Sequence, residues 1–381
     1  MNKIIKEKLK RIADFYPEER LAKSKKRLRQ VWNGDLKRLD RYPFTYNPLV
    51  VNYYDVIETK EDRLQSLLDG FIARGFIKDD FIPSLFPGCS TATIPNMFGA
   101  DELTVGGDIT CEQIIHNEND IKSLPDPVLG ESAKRWLTMQ KYFLEETEGQ
   151  IPIHVSDMQG PGDVCGKMWT YQDMMLTSYD NPEIVNLLMT KISDAFLLLW
   201  KAQAELLKGC FQPTHLFAWN WMPLKDITTI SCDSMVMISP DFFEKFYVPH
   251  LEYIAKEFSN GMVIHSCGDF SSLVKPLCNL DIIRGVNAGQ MKVSELVQAG
   301  FDDSKTIMCV ADYKDVEEAF GIISEKELRV DLTISRLWDD SSCAPLTPTE
   351  VQKWAKEEYQ HIKDKHKVIE EHALKLAENL K

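Results

Sequence analysis

The sequence has no apolar run near the roughly 20 residues that a membrane-crossing helix needs, so no helical span is expected. It has no basic excess either: 44 Lys and Arg face 58 Asp and Glu, a formal charge of −14. A surface of that balance has little with which to displace counterions from a phosphate backbone, so neither a nucleic-acid nor a membrane partner is expected. Neither Gly-x-Gly-x-x-Gly nor Gly-x-x-x-x-Gly-Lys occurs, and Gly160-Pro161-Gly162 is too short to stand in for a phosphate loop. Paired cysteine spacing is missing as well. The nine cysteines are odd in number and scattered. That is the usage of a reduced cytoplasmic protein, in which a thiol is a small hydrophobe, a ligand or a nucleophile. There is no internal repeat and no low-complexity tract.

What is present can bury a large core: 381 residues, 44% of them hydrophobic, with no composition shift to mark a linker. A single domain over residues 1–381 is therefore expected, in two parts. In 1–145, helical runs at 60–75 and 130–147 flank the Pro- and Gly-rich stretch from Ile82 to Cys89. Residues 1–30 carry Ile4, Ile5, Leu9, Ile12 and Phe15 at helical spacing among many Lys and Arg. This part reads as an N-terminal helical elaboration, its apolar stripe packed on the domain and its basic face solvated, with docking to a membrane or partner as the alternative.

In 146–381 the rhythm changes. Strand-like runs at 151–156, 215–219, 262–264, 282–286, 306–310 and 328–332 alternate with helical runs at 182–208, 240–258, 293–299 and 316–322. Repeated strand-helix units with doubly buried strands imply a parallel sheet covered by helices. At this length the first choice is an α/β fold of the (β/α)8 barrel type, ahead of an open doubly wound sheet.

A barrel gathers its chemistry at the C-terminal ends of its strands, and the polar clusters of this sequence fall there. They are Asp157 and Gln159 after the first strand, Trp219 and Asn220 after the second, then Asp233, Asn287 and Gln290. The sharpest is Gly261-Met262-Val263-Ile264-His265-Ser266-Cys267-Gly268. A short buried strand ends there in two metal-ligating side chains two residues apart, hence on one side of the chain. Cys343, in a Ser-, Asp- and Pro-rich loop where a thiol has little packing to do, is the best third ligand, and Cys309 is its rival. Blander readings stand beside these: Asp157 and Asp233 as helix caps, Trp219 and Trp221 as rim packing, the remaining cysteines as core.

These stretches carry a resemblance. Ser156-Asp157-Met158-Gln159-Gly160-Pro161, Asp180-Asn181-Pro182-Glu183, Cys232-Asp233 with Ile238-Ser239-Pro240, His265-Ser266-Cys267-Gly268 and Cys343-Ala344-Pro345 resemble the uroporphyrinogen decarboxylase-like superfamily. The nearer likeness is to its zinc-dependent corrinoid methyltransferase branch, the methylcobamide:coenzyme M type. The branch's zinc pattern is His, any residue, Cys and a distant Cys, and Cys343 stands at the expected distance from Cys267. The resemblance implies a (β/α)8 barrel and zinc on His265, Cys267 and Cys343. It also implies a methyl group moved between methylcobalamin, on a corrinoid partner protein, and a small-molecule acceptor or donor.

Asp157 and Asp233 would act at the reaction centre, with Gln159, Trp219, Asn220, Asn287 and Gln290 binding substrate. The tetrapyrrole-gripping Arg-Gln-Ala-Gly-Arg segment of true uroporphyrinogen decarboxylases is replaced by Phe44-Thr45-Tyr46-Asn47-Pro48. Where methyltransferases place a Glu near the zinc, Asn287-Ala288-Gly289-Gln290 stands, which leaves the fourth ligand open among Gln290, water and the substrate thiol. Three alternatives remain at this level: a demethylase that loads the corrinoid from a methylated amine or methoxy compound, a metal-free decarboxylase or lyase, and a non-enzymatic carrier.

Overall fold

The computed structural model describes residues 2–46, 59–88, 90–105, 108–214, 221–335 and 365–381. The chain is α/β, built around a parallel six-stranded sheet. Ten strands occur among the described residues: β1 Phe44–Tyr46, β2 Glu102–Val105, β3 Asp108–Cys111, β4 Ile153–His154, β5 Phe211–Gln212, β6 Thr228–Ser231, β7 Met262–Ser266, β8 Ile283–Ala288, β9 Thr306–Asp312 and β10 Arg329–Ser335. The main sheet has the order β1-β10-β9-β8-β7-β6, every pair parallel.

Closure beyond that sheet is sparse. Asp80 donates its amide to the Phe44 carbonyl at 3.0 Å, Leu85 bridges Ile153, and Gln159 bridges Ser231. The expected eight-stranded ladder is not closed among the described residues: beside the six-stranded sheet, β4 and β5 form a separate two-stranded parallel ladder, and only isolated bonds reach between them and the sheet edges. Pro83, Pro87 and Pro152 lie in or beside these connecting segments and have no N–H to give a ladder. The strand expected at 215–219 lies outside the described residues.

Of the strands expected in the second half, 151–156 shrinks to the two residues of β4, and the last four appear as β7 to β10 with starts within one residue and ends two or three residues later. β6 was not expected: Thr228-Thr229-Ile230-Ser231 has one aliphatic side chain and reads as loop. β1 and the β2–β3 hairpin also lie in the region read as helical. The long helix Pro182–Leu206 forms as expected, with Pro182 at its first turn, where a missing N–H costs nothing. The run expected as one helix over 240–258 is broken by a π-helical turn at Phe243–Tyr247.

At the N-terminus, two helices replace the single stripe. Lys3–Phe15 is capped by the Asn2 side chain and buries Ile5, Leu9 and Ile12, which pack with Leu64, Leu68, Phe71 and Phe143. Pro17 starts Glu18–Trp32, with Glu18 and Glu19 in the first turn complementing its dipole. The apolar stripe is therefore used inside the domain.

The sheet has two distinct faces. Ile264, Val286, Ile307 and Leu332 enter the main core. Their sequence neighbours Val263 and Met308 face the other way, into a cluster with Trp32, Met222 and Ile227. Trp32 is 1% exposed, and its indole donates to Asp331 Oδ2 at 3.2 Å. A Cβ on Gly285 would lie 3.0 Å from its ring, so the glycine makes room for this stopper.

β1 is tied down by buried charge. Asp80 accepts from Ser24 Oγ at 3.1 Å, Arg27 Nη1 at 3.0 Å and the Phe44 amide at 3.3 Å, and pairs with Arg41. Its neighbour Asp79 accepts from Arg74 at 2.7 Å and the Tyr46 amide at 2.9 Å. No helix among the described residues is long and apolar enough to cross a membrane.

Candidate metal centre

Ser231, His265, Asn287, Met308 and Asp331 share one register row across five strands. Side chains in such a row project from the same face of a parallel sheet. His265 therefore stands on the Val263 and Met308 face, one pleat above Trp32. Cys309 occupies the next row with Ala288 and Leu332 and is buried in the main core with them. It faces away from His265, and burial pushes its thiol up to about 12. The rival third ligand is thus placed on the wrong side of the sheet.

Three side chains converge at the ends of β6 and β7. The ligand atoms of Asp233, His265 and Cys267 all lie within 4.8 Å of one another, the one such group among the described residues. His265 Nε2 is 3.3 Å from Cys267 Sγ and 3.5 Å from Asp233 Oδ1. The Cys267 amide donates to Asp233 Oδ1 at 2.8 Å, fixing the carboxylate across the mouth of β7. Asp233, expected as a reaction-centre acid, is therefore also in a position to be a ligand.

Asn287 does not open outward to meet a substrate. It is 2% exposed, and its Oδ1 lies 2.5 Å from His265 Nδ1 while its Nδ2 donates to the Met308 carbonyl at 3.4 Å. With the amide so oriented, Nδ1 must carry the imidazole proton, and the Nε2 lone pair faces Cys267 and Asp233. This is the tautomer a metal ligand needs. Gly289 closes the same corner: a Cβ there would sit 3.2 Å from His265 Cε1 and 3.3 Å from Cys267 Sγ. Gln290 is exposed at the rim.

Asp157 follows β4 and is buried. It accepts from Gln159 Nε2 at 2.8 Å and Ser231 Oγ at 3.3 Å, the latter one strand from His265. Burial first, and then the Asp233 carboxylate, raise Asp157 to about 6. Although Cys267 reaches the rim, the surrounding protein, and then Asp233, push its thiol up to about 12. Trp221 packs with Leu28 and Ile82 under Arg29 and Lys25, next to Met222 of the Trp32 cluster: it is a packing residue, on the side of the sheet ends away from His265. Cys343, Trp219 and Asn220 lie outside the described residues.

Asp163 was missed. It follows Gly160-Pro161-Gly162, read as too short for a phosphate loop and, at Gly160-Pro161, as part of the family resemblance, but the acid itself was given no role; it stands in the first turn of the helix Pro161–Met168. Its carboxylate accepts from the amides of Asp233 and Ser234, each at 2.8 Å. A Gly-Pro helix start followed by an acid was the available signal.

No protein-family model matches the chain, and no curated protein does. Among solved structures, its fold is similar to that of a methyltransferase from Methanosarcina mazei, with a TM-score of 0.58 and 16% identity, over 88% of this chain and 99% of that one. At that identity the likeness is one of fold.

Proposed function

We propose that the chain is a zinc-dependent methyltransferase on a (β/α)8 scaffold. It would move a methyl group between a corrinoid carried by a partner protein and a small thiol or related acceptor. The observation that carries this reading is the convergence of Asp233, His265 and Cys267 at neighbouring strand ends, on a fold similar to that of a methyltransferase. The donor set suits zinc, which takes imidazole, thiolate and carboxylate together. Asn287 presents His265 in the ligating tautomer.

Cys343 is the proposed further ligand, as the spacing of the sequence pattern implies. Bound zinc would hold an acceptor thiol as thiolate near neutral pH. The chain's own residues do the rest. Asp233 is held against the Cys267 amide and lies within ligand reach of the site. Asp157, raised by burial to about 6, is poised near neutrality as the base that takes the acceptor's proton. Gln159 fixes the Asp157 carboxylate, the exposed Gln290 is a proposed substrate contact, and Trp219 and Asn220 are proposed as further ones on the sequence pattern alone.

The test is elemental analysis of the wild type beside Cys343→Ser. About one zinc per chain is expected, with most of it lost from the variant. A wild type that purifies without zinc and takes up none when it is supplied would move the reading to a metal-free lyase.

A milder lesion probes the same centre. Gly289→Ala places its methyl closer to His265 and Cys267 than ordinary van der Waals contact allows. The two ligands must part, and zinc affinity should fall about 10–100-fold, the range typical of altered ligand support. Competition against a chromophoric chelator measures it.

A further inference from the structure

We propose that Asp163 is a positioning residue for the metal centre: it clamps the turn that carries Asp233 and so sets where that carboxylate stands relative to His265 and Cys267. The inference rests on the zinc reading above.

Asp233 opens a 3-10 turn, Asp233–Met237. The first amides of any helical turn have no partner within it and need an acceptor from outside. The local cap position is Cys232, which makes no side-chain cap bond. Asp163 supplies the acceptor from another element. Its Oδ2 takes the Asp233 amide and its Oδ1 the Ser234 amide, both at 2.8 Å, and Ser234 Oγ donates to Oδ1 as well. One carboxylate thus fixes two consecutive peptide planes and one hydroxyl. The next link outward is the bond from the Cys267 amide to Asp233 Oδ1.

The supports of Asp163 are themselves unusual. Ser234 Oγ, which bonds Asp163, also shares a hydrogen bond of 2.7 Å with the Tyr247 hydroxyl. Tyr247 is the last residue of the π-helical turn Phe243–Tyr247, a local widening that re-aims side chains and recurs at functional sites. Tyr247 also needs Gly162, where a Cβ would fall 2.1 Å from its ring and hydroxyl. A glycine, a π-turn and a buried serine hold one buried carboxylate, and the backbone it grips bears a candidate ligand.

The experiment is a double-mutant cycle read by zinc affinity, by competition with a chromophoric chelator, and by the visible absorption of the cobalt-substituted protein. The variants are Asp163→Asn, Asp233→Asn and the pair. Asp163→Asn is expected to weaken zinc binding about tenfold, the lower end for an outer-shell residue, and to change the cobalt spectrum. The double variant should bind no more weakly than Asp233→Asn alone, because Asp163 acts through Asp233. Additive losses, or an Asp163→Asn variant that loses stability at unchanged zinc affinity, would overturn the proposal.

Ser234→Ala keeps both clamped amides and is expected to fall between wild type and Asp163→Asn. It carries the test should Asp163→Asn not fold, and unchanged affinity in it then overturns the proposal. Wild-type protein that binds no zinc overturns the zinc reading and this inference with it. Wild type that binds zinc beside an unaffected Asp163→Asn overturns the inference alone.

Discussion

Cys267→Ser should abolish stable zinc binding and methyl transfer together. Serine keeps the shape and the amide that donates to Asp233 Oδ1 but removes the soft thiolate, leaving Asp233, His265 and the proposed ligand Cys343 to hold the metal. Outer-shell lesions cost roughly 10–100-fold in affinity, and loss of a direct thiolate should exceed that.

The wild-type thiol has a measurable signature of its own. Burial and the Asp233 carboxylate push it up to about 12, so at neutral pH it is protonated and zinc must displace that proton on binding. The sign follows: apparent zinc affinity should rise with pH by roughly tenfold per unit through the neutral range for each thiol proton released. Cys267→Ser should flatten that slope by about one proton. A variant that retains wild-type zinc and its full pH slope would remove Cys267 from the ligand set.

Asp80→Asn should be the most destabilising conservative change outside the site. The carboxylate has no exposed side-chain surface and faces Arg27 and Arg41 while accepting from Ser24 and the Phe44 amide. An asparagine of the same shape turns an NH2 group toward guanidinium groups; Arg27 keeps its pair with Asp40, but Arg41 loses the carboxylate it faces. Breaking a buried pair in this way costs about 3–5 kcal/mol, a large share of the roughly 5–15 kcal/mol that holds a domain folded. A lowered urea midpoint at unchanged slope is the expected reading, and an unchanged midpoint would refute the role. Because Asp80 anchors β1, and β1 pairs with β10, the loss should be cooperative across the sheet.

How much of this could be read from sequence depended on how local the cause was. His265 and Cys267 were legible because strand alternation alone puts residues two apart on one side. Asn287 was named, but as a substrate contact. Its pairing with His265 depends on the register of β7 against β8, which no local pattern encodes. Asp233 was named as a reaction-centre acid, yet its reach to the ligands comes from β6, whose Thr- and Ser-rich segment gave no strand signal. β1 was hidden by its three-residue length and by a stabilising network contributed from Arg27, Arg41 and Asp80. The two-helix N-terminus needed only Pro17 to be taken as a boundary.

Trp32 is buried against the sheet face that carries His265, and its indole holds Asp331 of the same register row. The flank of the imidazole nearest this indole is therefore filled with protein. Among the described residues, that leaves the strand ends, where Asp233 and Cys267 stand, as the approach for whatever the centre takes.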